Sequence, residues 1–403
     1  MADFKLMREL ATQGKTKIVL LVMDGLGGLP MTPGGMTELE AAKTPHLDRL
    51  ASEGTLGLSR PIAAGISPGS GPAHLALFGY DPIQYDIGRG VLEAFGIGVE
   101  VGEKDVAARG NFCTVDANGV ITDRRAGRLA SDKAAAVVEK LKAIKLKGVE
   151  CEVRHVKEHR FVLVLRGEGL SADVQDTDPQ AVGAAPLPAR ATSSAGGKTA
   201  ALVNLWIAAA QKILAGEAQA NMLTLRGFSG DPNLPKYRDV YKLKAACVAV
   251  YPMYKGVAKL VGMEVQKFDG DSPADEFAHL AQIWNEYDFF FIHVKPTDSR
   301  GEDGDFDAKA KVVESVDAAL PTLLDLKLDV LIVTGDHSTP AKLKSHSWHP
   351  VPLLLWAPAM HLPDRCQSFG ERECILGGLG QFPATDIMPL ALAHAGRLAR
   401  YGA

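Results

Sequence analysis

Three short apolar runs, each followed closely by an acidic residue, constrain the fold of this chain most strongly. They are Ile18–Met23 before Asp24, Phe289–Ile292 before Asp298, and Val330–Val333 before Asp336. Unbroken apolar runs of this length are typical of strands buried on both faces of a parallel sheet. Because ligands bind beyond the carboxyl ends of such strands, we expect these acids to gather at one edge of the sheet.

Helical patterns lie between the apolar runs. Pro45–Glu53 and Asp307–Leu326 repeat apolar residues at spacings of three and four, and Pro45 suits a helix start. Alternating strands and helices indicate an α/β fold. The sequence therefore predicts a doubly wound sheet with helices on both faces.

The middle of the chain has a different texture. Asn111–Asp123 predicts two strands joined by a turn, and Phe161–Leu165 predicts another strand. Ala181–Ala191 and Ser193–Gly197 are rich in small residues and predict loops. We therefore predict an inserted α+β domain at residues 96–235, within a discontinuous core domain formed by residues 1–95 and 236–403.

Charge and cysteine usage exclude several classes of protein. A formal net charge of −4 argues against a general nucleic-acid binder, which needs a basic surface. The five cysteines are odd in number and lack a CxxC pair, so neither a disulfide framework nor a zinc knuckle is indicated.

The amino terminus has no signal-peptide pattern, and its first apolar run is far shorter than the ~20 residues that span a bilayer. We expect a cytoplasmic protein without a membrane anchor.

Two pairs of residues carry metal-ligand chemistry. Asp336 and His337 are adjacent after a predicted strand, and His346 follows nine residues after His337. Such a pair alone is more often part of a hydrogen-bonded loop than a metal site. Asp298 and Glu302, four residues apart, are best explained as oxygen ligands and favour the metal site.

Ser70 is the candidate nucleophile. It lies in the glycine-rich segment Ile66–Leu75, which leads into a predicted helix at Ala73–Phe78. A serine at a helix start commonly caps the helix. Backbone N–H groups at the same place can hold a phosphate. From the residues alone, both a cap and a phosphate-accepting hydroxyl remain open.

Together these segments resemble, in order, the motifs of cofactor-independent phosphoglycerate mutases of the archaeal type, in the alkaline phosphatase superfamily. The main matches are Asp24–Gly25, Pro68–Leu75, Gly79–Pro82, Asp298, Thr334–Pro340 and His346–Pro352. Further matches are Lys43–Leu50, Gly88–Gly90, Asp123–Arg128, Arg166–Leu170, Asp176–Pro179 and Leu243–Ala246. The resemblance implies an alkaline-phosphatase-like core sheet, with the insertion as a cap domain.

The resemblance also implies two divalent ions. In that family one ion is held by residues that match Asp24, Ser70, Asp336 and His337. The second ion is held by residues that match Asp298, His346 and a histidine four positions after the aspartate, where this chain has Glu302.

This chain departs from the family pattern at two positions. Glu302 replaces a nitrogen ligand by oxygen, which hardens the second site and favours Mn²⁺ or Mg²⁺, with Zn²⁺ and Co²⁺ as alternatives. Gly28 stands where the family often has an acid, so we predict only Asp24 as a ligand from that loop.

The implied reaction converts 3-phosphoglycerate to 2-phosphoglycerate through phosphoserine at Ser70, without 2,3-bisphosphoglycerate as a cofactor. A bound divalent ion lowers the pKa of an oxygen nucleophile, which makes the serine reactive. The insertion would exclude water as a closing lid. We predict substrate contacts from Arg125, Arg128, Lys255 and His155, since arginine binds carboxylate and phosphate in a bidentate way.

Two other classes of function remain as alternatives, one catalytic and one not. A related metal-dependent phosphatase, or a homoserine-kinase-like phosphotransferase, would use the same metal motifs. A phosphate-binding protein without catalysis has support only from Glu302. The predicted partner is a small phosphorylated substrate, not nucleic acid or a membrane, and a homo-oligomer is compatible with the sequence.

Overall fold

A computed structural model describes residues 3–402 of the chain. Within these residues the chain divides into two compact units. The core unit comprises the described residues up to Asp86 and from Leu234 onward, and the inserted unit spans Ile87–Asn233. The domain prediction starts the insertion at residue 96. In the structure the helix Arg89–Gly96 contacts strands of the inserted unit and is grouped with it.

Strands and helices are numbered along the chain. The strands are β1 (Ile18–Met23), β2 (Thr55–Arg60), β3 (Asp105–Val115), β4 (Ile121–Asp123), β5 (Glu150–Lys157), β6 (Arg160–Arg166), β7 (Met222–Ser229), β8 (Ala245–Ala249), β9 (Glu264–Val265), β10 (Phe289–Val294), β11 (Val330–Thr334), β12 (Val351–Trp356) and β13 (Gly380–Pro383). The helices are α1 (Phe4–Leu10), α2 (Glu38–Ala41), α3 (Pro45–Glu53), α4 (Ser70–Leu77), α5 (Arg89–Gly96), α6 (Ser131–Leu141), α7 (Gly197–Leu214), α8 (Tyr237–Val240), α9 (Pro252–Leu260), α10 (Pro273–Gln282), α11 (Pro296–Asp303), α12 (Phe306–Leu324), α13 (Glu371–Leu376) and α14 (Ile387–His394). Across residues 3–402, no helix combines the length and apolar character needed to cross a membrane.

The core sheet contains the three predicted strands side by side. Within the described core residues, eight strands lie in the order β13-β2-β12-β11-β1-β10-β8-β9. β1 pairs in parallel with both β10 and β11, while β12 is antiparallel to β11 and β2. All six residues of β1 are buried, which explains its unbroken apolar sequence. The predicted α/β class is confirmed.

Both faces of this sheet are covered. Val19, Leu21 and Met23 of β1 belong to a core cluster with residues of α3, α10 and α12. Ile18, Leu20 and Val22 are equally buried and point to the opposite face, because side chains alternate along a strand. The doubly wound arrangement predicted from the sequence therefore holds.

The predicted core helices are present. α3 spans the predicted residues, and α12 begins one residue earlier and ends two residues earlier than predicted. The N-cap residue of α3, Thr44, makes no side-chain cap hydrogen bond. Instead the buried Asp317 of α12 accepts hydrogen bonds from the backbone N–H groups of Leu47 (2.7 Å) and His46 (3.3 Å). A side chain from a neighbouring helix thus satisfies the start of α3.

The inserted unit contains an antiparallel sheet. Its described residues form five strands in the order β4-β3-β6-β5, with β7 also paired to β3. The sheet shares one core cluster with α6 and α7, to which Phe112, Phe161 and Trp206 contribute. The loop predicted at Ser193–Gly197 is wrong. A 3₁₀ turn spans Ser194–Gly196, and α7 begins at Gly197. The buried face of α7 packs in the core of the inserted unit, so these small residues form the start of a helix.

Candidate metal centre and active site

The predicted ligands converge because the central strands are parallel neighbours. Asp24 follows β1, Asp336 and His337 follow β11, and Asp298 lies in the first turn of α11, directly after β10. β11, β1 and β10 are adjacent in the sheet and run the same way, so their carboxyl ends meet at one edge. His346 approaches from the loop before β12.

The first ligand group contains Asp24, Asp336 and His337, whose ligand atoms lie within 4.8 Å of one another. His337 Nε2 is 3.3 Å from Asp24 Oδ1 and 3.2 Å from Asp336 Oδ2. All three residues are fully buried, and those two carboxylate oxygens have no hydrogen-bond partner among the described residues. Unsatisfied buried carboxylate oxygens are costly, and a cation between them would satisfy both. The donor set therefore fits a divalent ion.

Ser70 completes this group. Its Oγ lies 3.4 Å from His337 Nε2. Gly69 is the N-cap residue of α4, and Ser70 is the first residue of the helix. The hydroxyl therefore does not serve as the helix cap that the sequence left open, and it faces the ligand group instead.

The second ligand group contains Asp298, His337 and His346, again with ligand atoms within 4.8 Å. His346 Nε2 is 3.5 Å from Asp298 Oδ1, and its Nδ1 lies 2.9 Å from the carbonyl oxygen of Pro68. A hydrogen bond donated from Nδ1 to that carbonyl leaves Nε2 free to act as a ligand. Glu302 lies at the rim of the group, with Oε1 3.9 Å from His346 Nε2 and its side chain 54% exposed.

Thr339 joins the two groups. Its hydroxyl donates to Asp298 Oδ1 at 2.6 Å and accepts from His337 Nδ1 at 2.9 Å. This contact places the proton of a neutral imidazole on Nδ1 and leaves Nε2 directed at Asp24 and Asp336. Thr339 lies within the motif Thr334–Pro340, but the motif alone does not predict a role for this residue.

Four further residues around Asp24 and Asp336 were also missed. His293 Nε2 is 3.0 Å from Asp24 Oδ2, and the ring of Tyr254 stacks on His293 at 3.5 Å. Lys295 Nζ lies 3.3 Å from Asp24 Oδ2 and also contacts Asp298. His74, buried in α4, places Nδ1 2.8 Å from the Ser70 carbonyl oxygen and 3.3 Å from Asp336 Oδ2. His74 stands one helical turn after Ser70, a spacing visible in the sequence.

Contacts between oppositely charged groups favour the charged forms of buried residues in this site, although burial itself disfavours them. Burial alone would raise the pKa of Asp24, but a hydrogen bond from His293, the nearby His337 imidazole and the ammonium of Lys295 hold it well below its ordinary value. Burial alone would lower the pKa of His337, but Asp336 and Asp24 outweigh it and raise the pKa to about 9. Burial lowers the pKa of His293 despite its contact with Asp24. In the absence of ions, the raised pKa of His337 favours its protonated form at neutral pH.

Comparison with known proteins decides the family. The chain is 52% identical over 404 residues to a probable 2,3-bisphosphoglycerate-independent phosphoglycerate mutase of Thermus thermophilus, covering 99% of both chains. It is 53% identical over 397 residues to a protein of the same description from Thermotoga maritima, covering 98% of both. The chain belongs to the 2,3-bisphosphoglycerate-independent phosphoglycerate mutase family. The sequence model of this family matches residues 51–220.

Solved structures agree with this membership of the phosphoglycerate mutase family. A protein of Pyrococcus horikoshii is 31% identical with a TM-score of 0.78, and the match covers 96% of this chain and 100% of that one. The cofactor-independent phosphoglycerate mutase of Thermoplasma acidophilum is 30% identical with a TM-score of 0.76, covering 94% and 100%. The resemblance predicted from the motifs is thereby confirmed.

In this mutase-family chain, the structure gives the four predicted substrate-binding residues different settings. Arg125 and Arg128 are exposed in a turn where Ala126, Gly127 and Arg128 have φ of 47°, 67° and 52°. Left-handed backbone at non-glycine residues is uncommon and often marks a ligand site. His155 Nε2 lies 3.0 Å from the Glu158 carbonyl oxygen, and its side chain lines a 490 Å³ cavity of the inserted unit.

Lys255, the fourth of these residues, lies in α9 of the core unit. Its positive charge acts on the buried Glu276, whose pKa burial raises well above its ordinary value while Lys255 opposes that shift. Tyr254, its neighbour in the helix, is the residue whose ring reaches His293. Successive helical residues point about 100° apart, so the two side chains of this pair take different directions.

An arginine cluster in the inserted unit leaves no local signal in the sequence. Arg109 of β3 is paired in register with Arg226 of β7, and the charges of Arg160 and Arg89 also act on it. Burial lowers the pKa of Arg109, and these three cations lower it further, while Glu93 opposes them at 4.0 Å. Arginine charges this close to one another attract an anion, and part of the charge of Arg226 is already met by Asp178 at 3.6 Å. Their positions are far apart in the sequence, and only Arg89 lies in a named motif, Gly88–Gly90.

Proposed function

We propose that this chain is an isomerase that interconverts 3-phosphoglycerate and 2-phosphoglycerate. One observation carries the proposal within the family. Ser70 Oγ lies 3.4 Å from His337 Nε2, beside the two buried carboxylate oxygens that have no hydrogen-bond partner among the described residues. A hydroxyl in that position suits a nucleophile that accepts a phosphoryl group. Family membership favours the mutase over a related phosphatase or a homoserine-kinase-like phosphotransferase.

Two divalent ions fit the donor atoms. We propose that Asp24, Asp336, His337 and Ser70 hold one ion, and that Asp298, His346 and Glu302 hold the other. When bound, such ions lower the pKa of the serine hydroxyl and stabilise negative charge on the phosphate. Thr339 supports this division because its hydroxyl fixes the orientation of the His337 ring.

Ser70 carries the phosphoryl group between two hydroxyls of the same substrate. In the first half, a bond forms between Ser70 Oγ and phosphorus while the bond to the oxygen on C3 of glycerate breaks. The proton lost by Ser70 balances the proton gained by that oxygen. In the second half, the oxygen on C2 attacks phosphorus, the bond to Oγ breaks, and Ser70 regains a proton. Glycerate must be retained in between, which requires groups that hold its carboxylate.

The arginine cluster supplies groups of that kind. Arg89, Arg109, Arg160 and Arg226 offer positive charge for a carboxylate or phosphate, and the Nε atoms of the latter three have no hydrogen-bond partner among the described residues. Bidentate pairing makes guanidinium suited to both anions. We propose that this cluster binds an anionic group in the inserted unit, and that the four residues predicted earlier, Arg125, Arg128, Lys255 and His155, bind phosphoglycerate.

Product analysis tests the proposed reaction. Protein loaded with Mn²⁺ is mixed with 3-phosphoglycerate, and 2-phosphoglycerate and free phosphate are followed together by ³¹P NMR after removal of the ion. We expect 2-phosphoglycerate as the main product and phosphoserine at Ser70 in peptides from quenched samples. Free phosphate without 2-phosphoglycerate would contradict the mutase proposal and support a phosphatase.

A pair of serine variants tests the nucleophile. Ser70→Ala should abolish conversion, because no hydroxyl remains to accept the phosphoryl group. Ser67→Ala changes an exposed serine of the same loop and should keep wild-type conversion. Wild-type turnover by the Ser70 variant would refute a serine mechanism.

The identity of the metal depends on Glu302. We propose Mn²⁺ or Mg²⁺ for the second site, since a carboxylate oxygen replaces the nitrogen ligand of the family pattern. Glu302→His should raise the affinity for Zn²⁺ relative to Mn²⁺, measured by competition titration of chelator-treated protein. Asp303→His places the same side chain on the next residue, which is exposed, and should leave the preference unchanged. Equal preferences in wild type and Glu302→His would argue against Glu302 as a ligand.

The same proposal places the reaction in the cytoplasm, in glycolysis or gluconeogenesis. Its substrate is a small phosphorylated acid. Self-association remains a prediction, which the mass of the protein in solution would test.

A further inference from the structure

Lys309 is a fully buried lysine that the proposed chemistry does not use. It lies in α12, and its Nζ approaches the carbonyl oxygens of Gly25 (2.8 Å), Gly27 (3.0 Å) and Thr339 (2.9 Å). An ammonium group has three N–H donors and a neutral amine has two, so three carbonyl acceptors match the charged form. Burying an ammonium is expensive, and its retention at this point calls for an explanation.

The three carbonyls belong to the two loops that carry the first ligand group. Gly25 and Gly27 follow Asp24, and Thr339 follows His337 by two residues. The Thr339 N–H also donates to the carbonyl oxygens of Gly25 (3.2 Å) and Gly27 (3.0 Å). Lys309 and Thr339 thus link the same two loops. We call these two residues the loop clamp.

Countercharge for Lys309 comes from two glutamates that also hold these loops. Burial lowers the pKa of Lys309, and Glu38 and Glu371 oppose that shift. Glu38 accepts from the N–H groups of Leu29 (3.1 Å) and Ala341 (2.7 Å), and Glu371 accepts from Gly28 N–H at 2.8 Å. Each acid therefore holds backbone of one or both loops, and its negative charge acts on the ammonium.

Close packing leaves the loop clamp little freedom. Gly25 has φ of +64°, and a Cβ there would lie 2.6 Å from Thr339 Oγ1 and 2.8 Å from Asp298 Oδ1. A Cβ on Gly301 of α11 would lie 2.1 Å from the Thr339 carbonyl oxygen. The chain segments approach one another closely only because glycine occupies both positions. A shift of Thr339 would therefore move its hydroxyl away from Asp298 and His337.

We propose that Lys309 is a positioning residue. Its ammonium fixes the separation of the loops after β1 and β11, and through Thr339 that separation sets the geometry of Asp24, His337 and Asp298 for two ions. The inference rests on the proposed two-ion function. Partners of metal ligands commonly change metal affinity roughly 10- to 100-fold when they are removed.

Ion binding, not turnover, tests this inference. Lys309→Met keeps most of the length of the side chain and removes all three donors. We expect chelator-treated Lys309→Met to bind Mn²⁺ roughly 10- to 100-fold more weakly in calorimetric titration. The spin-coupled signal of paired Mn²⁺ ions in electron paramagnetic resonance should also weaken. Lys311→Met, an exposed lysine of the same helix, should match wild type in both measurements.

A second pair of variants tests the proposal if Lys309→Met does not fold. Thr339→Val removes the hydroxyl but keeps the shape, and Thr339→Ser keeps the hydroxyl. We expect weaker Mn²⁺ binding for the valine variant and recovery for the serine variant. The proposal would be overturned if folded Lys309→Met kept both the wild-type affinity for Mn²⁺ and the wild-type spin-coupled signal. If Lys309→Met does not fold, the same result in Thr339→Val would overturn it. If the wild-type protein bound two ions but made no 2-phosphoglycerate, the proposed function would be refuted. The role of Lys309 in ion binding would still be decided by the variants above.

Discussion

The stability of ion-free protein should fall as the pH rises through the titration of His337. The residue is fully buried, and its pKa is about 9 in the fold because the carboxylates of Asp336 and Asp24 outweigh burial. In the unfolded chain a histidine titrates near its ordinary value of about 6.5. The difference of about 2.5 pKa units corresponds to roughly 3 kcal/mol of folding free energy at about 1.36 kcal/mol per unit.

The sign follows from proton binding. Between the unfolded and the folded pKa, the folded state binds more protons than the unfolded state, so raising the pH favours unfolding. The stabilisation by the His337 cation is fully present below about pH 6.5 and is lost as the pH rises through about 9. Ion binding needs the neutral imidazole, so the same proton leaves when an ion binds, and the gain in stability on adding ions should grow with pH.

Urea unfolding checks this prediction. Chelator-treated protein is unfolded between about pH 6.5 and pH 9.5, and tryptophan fluorescence reports the transition. We expect the free energy of unfolding to fall by roughly 3 kcal/mol across this range. His337→Asn removes the titrating group, and its curve should lack this decline. The free energy of unfolding of the wild type could instead stay constant or rise with pH, as in His337→Asn. That result would show that the carboxylates do not hold a proton on His337.

Three further predictions concern the scaffold. Asp317→Ala removes the acceptor for the Leu47 N–H at the start of α3, and should lower the free energy of unfolding by about 1–2 kcal/mol in urea titration. Gly110→Val would place a Cβ 2.1 Å from the ring of Phe161, and should destabilise the inserted unit by at least about 1–3 kcal/mol, seen as earlier proteolysis within that unit. All five cysteines are buried free thiols, and burial raises the pKa of Cys113 to about 12, so a thiol reagent should label native protein slowly and denatured protein at five sites.

The sequence predicted the centre of the sheet well because burial leaves a simple pattern. β1 needs apolar residues on both faces, and its six residues form an unbroken run with the observed bounds. Parallel strands then bring Asp24, Asp298 and Asp336 to one edge of the sheet. This convergence can be predicted from the order of strands and acids along the chain alone. The position of Ser70 was harder to predict. Which residue caps α4 depends on backbone geometry, and the sequence allowed either role for the hydroxyl.

Residues that act through tertiary pairing left no local signal. Arg109 and Arg226 face one another through the register of β3 and β7, although they lie far apart in the chain. Lys309 is buried and Lys311 of the same helix is exposed, yet nothing in the local sequence distinguishes the two lysines. Thr339 resembled any threonine of a turn. Their roles depend on which backbone atoms other segments present, and single-sequence patterns do not contain that information.

The charge of the candidate metal centre supports the proposed binding of divalent ions and would give Glu302 a role beyond its donor atom. Three fully buried carboxylates, Asp24, Asp298 and Asp336, meet two internal cations, Lys295 and protonated His337. Three negative charges against two positive ones leave an excess of one, and neutral His337 makes it two. Glu302 adds another negative charge 3.9 Å from His346 Nε2, where the family pattern has a neutral histidine. Exchange of histidine for glutamate therefore changes net charge together with ligand hardness. The added charge favours any divalent ion, and only the harder oxygen ligand underlies the proposed preference for Mn²⁺ or Mg²⁺ at the second site.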